Sequence, residues 1–200
     1  MPNSNIHPHD TRLTSRTQKE QLLGAQACVF WLFGISGSGK STLAMELEKK
    51  LHHENIYSIV LDGDNLRDGL NKDLGFSEND RRENIRRVSE VAKTLCEAGQ
   101  VTIVSCITPK NEFRDHAKKI VGPENFYDIY VKASYSECSR RDVKGLYAKA
   151  SANQIDSFTG KNSEFEEPVE PTLIIETEFE EIDHSVTKLF SFVSSQIKRV

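Results

Sequence analysis

The chain has 200 residues, a formal net charge of −4, 37% hydrophobic residues and 28% charged residues. A chain of this length suits one domain with a substantial core, and the weak net charge indicates no basic face for a nucleic acid. No stretch approaches the roughly 18 consecutive apolar residues of a membrane helix, and the polar beginning lacks the apolar core of a secretory signal, so we expect a cytoplasmic protein without a membrane partner.

Residues 1–24 are polar and show no sustained period. We interpret them as an N-terminal arm, partly mobile, that precedes a single domain over residues 25–200. Four cysteines are scattered along the chain without a C-x-x-C pair, so we expect reduced, buried thiols and no zinc or redox site.

The domain alternates between strand-like and helix-like segments. Continuous apolar runs, typical of strands buried on both faces of a parallel sheet, lie at Cys28–Phe33, Tyr57–Leu61, Val101–Cys106, Phe126–Val131 and Leu173–Ile175. Three other segments have helical spacing. The first contains Leu43, Leu47 and Leu51, the second is an apolar stripe between an N-cap at Ser77 and a C-terminal Gly99, and the third covers about 183–197. This alternation predicts an α/β fold of three layers, a parallel sheet with helices on both faces.

The segment 140–171 differs from the rest of the domain. It is polar and interrupted by glycine and proline, with only a short helical pattern at Leu146–Ala150. A long, weakly patterned insertion beside a nucleotide site is typical of a mobile lid, and we predict one here.

The strongest motif follows the first apolar run. It fits G-x-x-x-x-G-K-[ST] and consists of Gly34, Ile35, Ser36, Gly37, Ser38, Gly39, Lys40 and Ser41. The glycines allow a tight turn that directs backbone N–H groups at phosphate oxygens, and the next helix adds the positive end of its dipole. Lys40 then reaches the β- and γ-phosphates, and the Ser41 hydroxyl binds Mg²⁺. A chance glycine turn does not explain eight matched positions between a strand and a helix, so the motif predicts a nucleoside triphosphate site.

Two other classes of P-loop protein are disfavoured. The guanine-reading N-K-x-D motif has its only candidate at residues 71–74, where Leu74 replaces the aspartate and the position precedes the expected strand. A helicase or transport motor is disfavoured because the chain is short and lacks a basic groove for a nucleic-acid strand.

The second apolar run leads directly into the sequence D-G-D-N-L-R at residues 62–67. At the carboxyl end of a parallel strand, such residues lie where ligands bind. One carboxylate there can hold Mg²⁺ or orient an acceptor hydroxyl, and the arginine can clamp an anion. Taken alone, an exposed acidic turn explains these residues about as well.

Phe76, Arg81 and Asn84 lie around the beginning of the longest predicted helix. Arg81 and Asn84 are three residues apart and face the same way, and Phe76 is placed to stack on a purine. The alternative is a solvated helix face of mixed charge. A helix N-terminus, arginines and an aromatic ring near one edge of the sheet favour an anionic nucleotide.

These residues together resemble the adenylylsulfate kinase family, over nearly the whole chain from Arg16 onward. The matching blocks are residues 31–42, 61–65, 69–77, 83–87, 90–93, 144–147 and 158–160, of which D-G-D-N and E-N-I-R-R are highly specific. The resemblance implies the five-stranded parallel sheet of nucleotide kinases with a P-loop NTPase fold, and a homodimer. It also implies transfer of the ATP γ-phosphate to the 3′-hydroxyl of adenosine 5′-phosphosulfate (APS) in sulfate assimilation, and we add a possible functional coupling to ATP sulfurylase.

The resemblance further implies roles for individual residues. The catalytic group is Lys40, Asp62 and Thr108, the last at the family's serine position, and the metal ligands are Ser41 and Asp62. ATP would be bound by the motif residues from Gly34 to Ser41, by Thr42 and by Arg141. APS would be bound by Asp62, Asp64, Arg67, Phe76, Arg81, Asn84, Ile107, Lys144 and Phe158, with the two phenylalanines stacking on its adenine.

Three places depart from the family pattern. Thr108 stands where the family has serine, Val143 replaces a proline in the lid, and residues 161–165 match more loosely. These departures leave open an acceptor that is another nucleotide-linked anion. A non-catalytic nucleotide-binding partner of an ATP sulfurylase is a further alternative, against which the intact lysine and carboxylates argue.

Overall fold

Five parallel strands form a single sheet, which confirms the predicted fold class. In chain order they are β1 (Val29–Phe33), β2 (Ser58–Asp62), β3 (Val101–Ser105), β4 (Phe126–Lys132) and β5 (Leu173–Glu176). Their order across the sheet is β2-β3-β1-β4-β5. The computed structural model describes residues 13–152, 154, 158–160 and 163–200.

Eight α-helices lie among the described residues. They are α1 (Arg16–Leu23), α2 (Lys40–His53), α3 (Gly63–Asp68), α4 (Glu78–Glu97), α5 (Asn111–Val121), α6 (Tyr135–Arg141), α7 (Leu146–Ser151) and α8 (Ile182–Gln196). The longest, α4, begins as the sequence predicts, because the Ser77 side chain accepts a hydrogen bond from the backbone N–H of Asp80. It ends before Gly99, whose φ of 85° is one that glycine adopts without strain.

Strand β1 separates two hydrophobic cores because its side chains alternate between the faces of the sheet. Phe30 and Leu32 pack with α2 and α8 on one face. Val29, Trp31 and Phe33 pack with α4 and α5 on the other face. All five side chains are fully buried, so the strand carries its carboxyl end, and the loop after it, on a rigid base.

Part of the predicted N-terminal arm forms a helix, which was not expected from its polar sequence. Helix α1 begins with a capping box between Ser15 and Gln18. Arg16 pairs with Glu20 of the same helix at 2.8 Å and fastens the helix to the domain through the side chain of Asn125 at 2.9 Å and the carbonyl of Ala27. The division at residue 24 stays a prediction, and residues 1–12 lie outside the described residues.

The predicted lid contains the end of α6 and the short α7, which matches the helical pattern expected at 146–150. Several of its residues between 153 and 162 lie outside the described part of the chain, and its movement stays a prediction. Cys28, Cys96, Cys106 and Cys138 are all buried and free, as expected. Within the described ranges, no helix is long and apolar enough to cross a membrane.

Candidate active site

The loop between β1 and α2 has the backbone of a phosphate-binding turn. Gly34, Gly37 and Gly39 have φ angles of 151°, 77° and 100°, all in a region where a side chain would be strained. At Gly34 a Cβ atom would also lie 2.3 Å from the carbonyl oxygen of Val131. The glycines of the motif are therefore required by the path of the chain.

Side chains outside the turn hold its carbonyl groups. Tyr147 Oη donates to the Ser36 carbonyl and Thr177 Oγ1 to the Ser38 carbonyl, each at 2.7 Å. Carbonyl oxygens that are bonded to donors cannot turn toward a bound phosphate and repel it. The first N–H groups of α2, which have no partner within the helix, complete a site for an anion.

Lys40 is buried at the beginning of α2. Its Nζ donates to the carbonyl of Ile35 at 2.7 Å. Burial lowers the pKa of Lys40 to about 8, because a charged amine loses its hydration inside the loop. A triphosphate bound here would supply the missing countercharge.

Ser41, Asp62 and Ser105 meet where β2 and β3 end. Ser41 Oγ donates to Asp62 Oδ2 at 2.7 Å and lies 3.3 Å from Ser105 Oγ. Burial alone would raise the pKa of Asp62, but hydrogen bonds from Ser41, the Asp64 N–H and Ser105 hold it below its ordinary value. This carboxylate also caps α3 by accepting the Asp64 N–H at 3.0 Å. A hydroxyl and an ionised carboxylate side by side are the oxygen ligands that Mg²⁺ prefers, so these residues fit the ion.

Sequence reasoning missed Ser105. The signal that could have found it is its place at the carboxyl end of a buried parallel strand, next to the strand that carries Asp62.

Two arginines and an aromatic ring line the opposite wall of the site. Arg67 lies over the Phe76 ring, with Cζ 4.5 Å from the centroid, and donates to the Gly75 carbonyl at 2.9 Å. Arg81 donates to the Phe76 carbonyl at 3.0 Å and to Thr159 at 2.7 Å. Burial lowers the pKa of both guanidinium groups, and for Arg81 the charge of Arg67 acts the same way. Two positive groups that repel each other in a half-buried wall favour an anionic ligand.

Residues of the predicted lid lie next to this wall. Lys144 forms an ion pair with Asp64. Phe158 packs edge-on against Tyr147, with ring centroids 4.7 Å apart. Arg141 turns the other way and donates to the Thr177 carbonyl at 2.6 Å, beside the phosphate-binding loop.

Thr108 differs from the other predicted catalytic residues. It is 1% exposed, and its Oγ1 accepts a hydrogen bond from Trp31 Nε1 at 2.8 Å. Its φ of 44° is unusual for a residue with a side chain. This geometry gives the hydroxyl a structural partner in β1, and its catalytic role stays a prediction.

One cavity of about 900 Å³ unites these groups. Of the residues predicted for the site, it is lined by Ser36, Gly37, Gly39, Lys40, Ser41, Thr42, Asp62, Asp64, Arg67, Phe76, Arg81, Asn84, Ile107, Thr108, Arg141, Lys144 and Phe158. Gly34, Ile35 and Ser38 form the turn without lining the cavity. The cavity is large enough for two nucleotides whose phosphates meet near Lys40 and Asp62. The fold and the site define a P-loop phosphotransferase.

Comparisons with known proteins assign the class more closely. Residues 26–176 match the family described as adenylylsulphate kinase. An adenylyl-sulfate kinase of Phocaeicola vulgatus is 47% identical over 193 residues, which cover 96% of this chain and 95% of that relative. The chain belongs to the adenylylsulphate kinase family.

Solved structures agree with this assignment. The Mycobacterium tuberculosis APS kinase in complex with AMPPNP and APS superposes with a TM-score of 0.81 at 42% identity, over 84% of this chain and 98% of that one. A hexameric APS kinase from Thiobacillus denitrificans superposes with a TM-score of 0.65 at 25% identity, over 86% of this chain and 30% of that chain.

Proposed function

We propose that this protein transfers the γ-phosphate of ATP to the 3′-hydroxyl of APS, which yields 3′-phosphoadenosine 5′-phosphosulfate and ADP in sulfate assimilation. The observation that carries the proposal is the single cavity in which the phosphate-binding loop faces Arg67, Phe76 and Arg81. Family membership and the likeness to a kinase bound to AMPPNP and APS support it.

The phosphate-binding loop holds ATP in this proposal. Its N–H groups and the Lys40 ammonium stabilise charge on the moving phosphoryl group, which passes directly from one nucleotide to the other. Arg141 covers the ATP side, where it lies beside Thr177. Closure of the lid excludes water that would otherwise hydrolyse ATP.

Asp62 accepts a hydrogen bond from the acceptor hydroxyl, orients its oxygen toward the γ-phosphate and takes up its proton as the new bond to phosphorus forms. Its lowered pKa keeps it ionised at neutral pH, as this role requires. Ser41 and Asp62 would hold Mg²⁺, which neutralises phosphate charge when bound with ATP. Ser105 Oγ lies 3.3 Å from the Ser41 hydroxyl and completes this polar cluster.

APS occupies the other half of the cavity. Its adenine stacks on Phe76 and Phe158, and the arginines at 67 and 81 bind its anionic end. The remaining contacts are expected from Asp64, Asn84, Ile107 and Lys144, all of which line the cavity. Acceptor binding would release Lys144 from its ion pair with Asp64, so that the ammonium turns to the new anion.

We further propose a homodimer located in the cytoplasm, and a functional coupling to ATP sulfurylase. The buried free cysteines and the use of ATP agree with a reducing compartment. Light scattering of the purified protein tests the assembly, and a hexamer like that of the Thiobacillus denitrificans relative would contradict the dimer.

An acceptor panel tests the proposed reaction. ADP release is measured with ATP, Mg²⁺ and one acceptor at a time: APS, its 3′-deoxy analogue, AMP and adenosine 5′-phosphoramidate. We expect turnover with APS and none with the 3′-deoxy analogue. The variant Lys40→Met should lose most of the turnover.

Turnover with another nucleotide and none with APS would make that nucleotide the acceptor. Binding of ATP without turnover on any acceptor would favour the non-catalytic alternative. Wild-type rates in Lys40→Met would refute the assigned phosphate site.

A further inference from the structure

Two buried asparagine side chains contact each other at the acceptor half of the cavity. Asn84 lines the cavity near the beginning of α4 and is 6% exposed. Behind it lies Asn71, which is completely buried and does not line the cavity. Asn71 Nδ2 donates to Asn84 Oδ1 at 2.9 Å.

This hydrogen bond fixes which end of the Asn84 amide faces the cavity. Because Oδ1 is engaged by Asn71, the Nδ2 group is the end left for a ligand. Among the residues that the structure describes, Asn84 Nδ2 has no protein acceptor. An amide held in this orientation is a donor for an oxygen atom of the acceptor nucleotide.

Stability does not explain an amide at position 71. Asn71 Oδ1 is buried without a hydrogen-bond partner, which costs free energy in the folded protein. A leucine has the same branched shape and would fill the same space without an unpaired oxygen. The structure therefore keeps a costly polar group directly behind a residue of the site.

The loop that contains Asn71 does not need this side chain for its shape. Backbone bonds from Asn71 N–H to the Leu66 carbonyl at 2.8 Å and from Leu74 N–H to the Asn71 carbonyl at 3.0 Å hold the turn. Asp73 is fixed by a bidentate ion pair with Arg87, at 2.7 and 2.9 Å. The side chain is thus free of an anchoring role in its own loop.

We propose that Asn71 is a positioning residue for the acceptor: it orients the Asn84 amide so that Asn84 Nδ2 donates to an oxygen of the bound acceptor nucleotide. The inference rests on the proposed function, in which Asn84 belongs to the APS half of the cavity. Without Asn71, the Asn84 amide rotates freely and presents its oxygen to the acceptor as often as its nitrogen.

The test is the variant Asn71→Leu, assayed with APS and ATP. Loss of one oriented hydrogen bond should raise the KM for APS about tenfold. The kcat and the KM for ATP should stay within about twofold, because the phosphate-binding loop is not touched. The melting temperature should change little, since the unpaired Asn71 oxygen is gone while Asn84 Oδ1 loses its donor. Asn71→Ala should show the same kinetic pattern if Asn71→Leu does not fold.

A double variant separates this role from a shift of the loop. If Asn71 acts through Asn84, then Asn71→Leu combined with Asn84→Ala should have the same KM for APS as Asn84→Ala alone. Effects that multiply in the double variant would show that Asn71 acts by another route and would overturn the inference.

Gln100→Met is the matched control. Gln100 Oε1 is also a buried amide oxygen without a partner, and Gln100 does not line the cavity. Its replacement should leave the KM for APS unchanged. An unchanged KM for APS in Asn71→Leu would overturn the inference while the proposed function stands, whereas a wild-type protein without APS turnover would overturn both.

Discussion

The substitution Asp62→Asn separates the chemistry of the site from its structure. Asparagine has the same shape, and its Oδ1 can still accept the Asp64 N–H at 3.0 Å and cap α3. The other oxygen, which accepts the Ser41 hydroxyl at 2.7 Å, becomes an NH₂ group that cannot accept a proton or bind a cation. The change therefore removes the charge and leaves the fold in place.

The expected loss follows from these contacts. Removal of a group that orients and deprotonates the nucleophile lowers kcat by about 10²- to 10⁴-fold. The cap is retained, so the free energy of unfolding should change by less than about 1 kcal/mol. The KM for ATP should change little, because the N–H groups and Lys40 hold the triphosphate.

Coupled ADP release with APS and urea unfolding measure the two effects of Asp62→Asn. Asp68→Asn is the control, because Asp68 is an exposed carboxylate at the other end of α3 and does not line the cavity. It should keep wild-type kcat. A kcat within tenfold of wild type in Asp62→Asn, with an intact fold, would refute the role of this carboxylate.

Three further predictions concern Lys40, the acceptor wall and helix α1. The Lys40 pKa of about 8 lies below that of an exposed lysine, and the charge of a bound triphosphate should raise it. Binding of AMPPNP near pH 8.5 should therefore take up a proton. Calorimetry in buffers of different ionisation enthalpy measures this uptake, and equal heats in all buffers would contradict it. Phe76→Ala should raise the KM for APS about 5- to 150-fold through the lost stack and leave the KM for ATP unchanged, whereas the exposed Phe179→Ala should change neither. Arg16→Ala should lower the free energy of unfolding by about 1–3 kcal/mol in urea titrations, because it leaves the buried Glu20 carboxylate without its ion pair. An unchanged free energy of unfolding would mean that Arg16 does not hold α1 against the domain in solution.

The sheet and the phosphate-binding loop could be predicted because their signals are local. The run that ends at Phe33 is fully buried in β1, and each glycine of the motif is required by its own φ angle. The C-terminal glycine of α4 was predictable for the same reason. Residue types and spacing at these places determine the backbone directly.

Helices α1, α3, α5 and α6 were not predicted, the first three for identifiable reasons. Helix α3 has only six residues, and its cap is the carboxylate of Asp62 at the end of a strand, so the segment resembled a turn. Helix α5 has no side-chain cap. Helix α1 did carry a signal, the capping box of Ser15 and Gln18, in a segment whose polarity indicated an arm.

The supporting contacts of the site could not be found from spacing. Tyr147 donates to Ser36 across 111 positions, and Thr177 donates to Ser38 across 139. The hydrogen bond between Trp31 and Thr108 could not be predicted from spacing either, since it forms only when β1 and the loop after β3 lie side by side. Contacts between distant segments depend on how the sheet is assembled, which local patterns do not encode.

Direct phosphoryl transfer requires two nucleotides to share one cavity, and a crystal structure of this chain with AMPPNP and APS tests that arrangement. We expect the triphosphate on the N–H groups of the loop beside Lys40, and the APS adenine between Phe76 and Phe158 with its 3′-hydroxyl near Asp62. APS bound outside this cavity, or a 3′-hydroxyl that faces away from the γ-phosphate, would contradict the account.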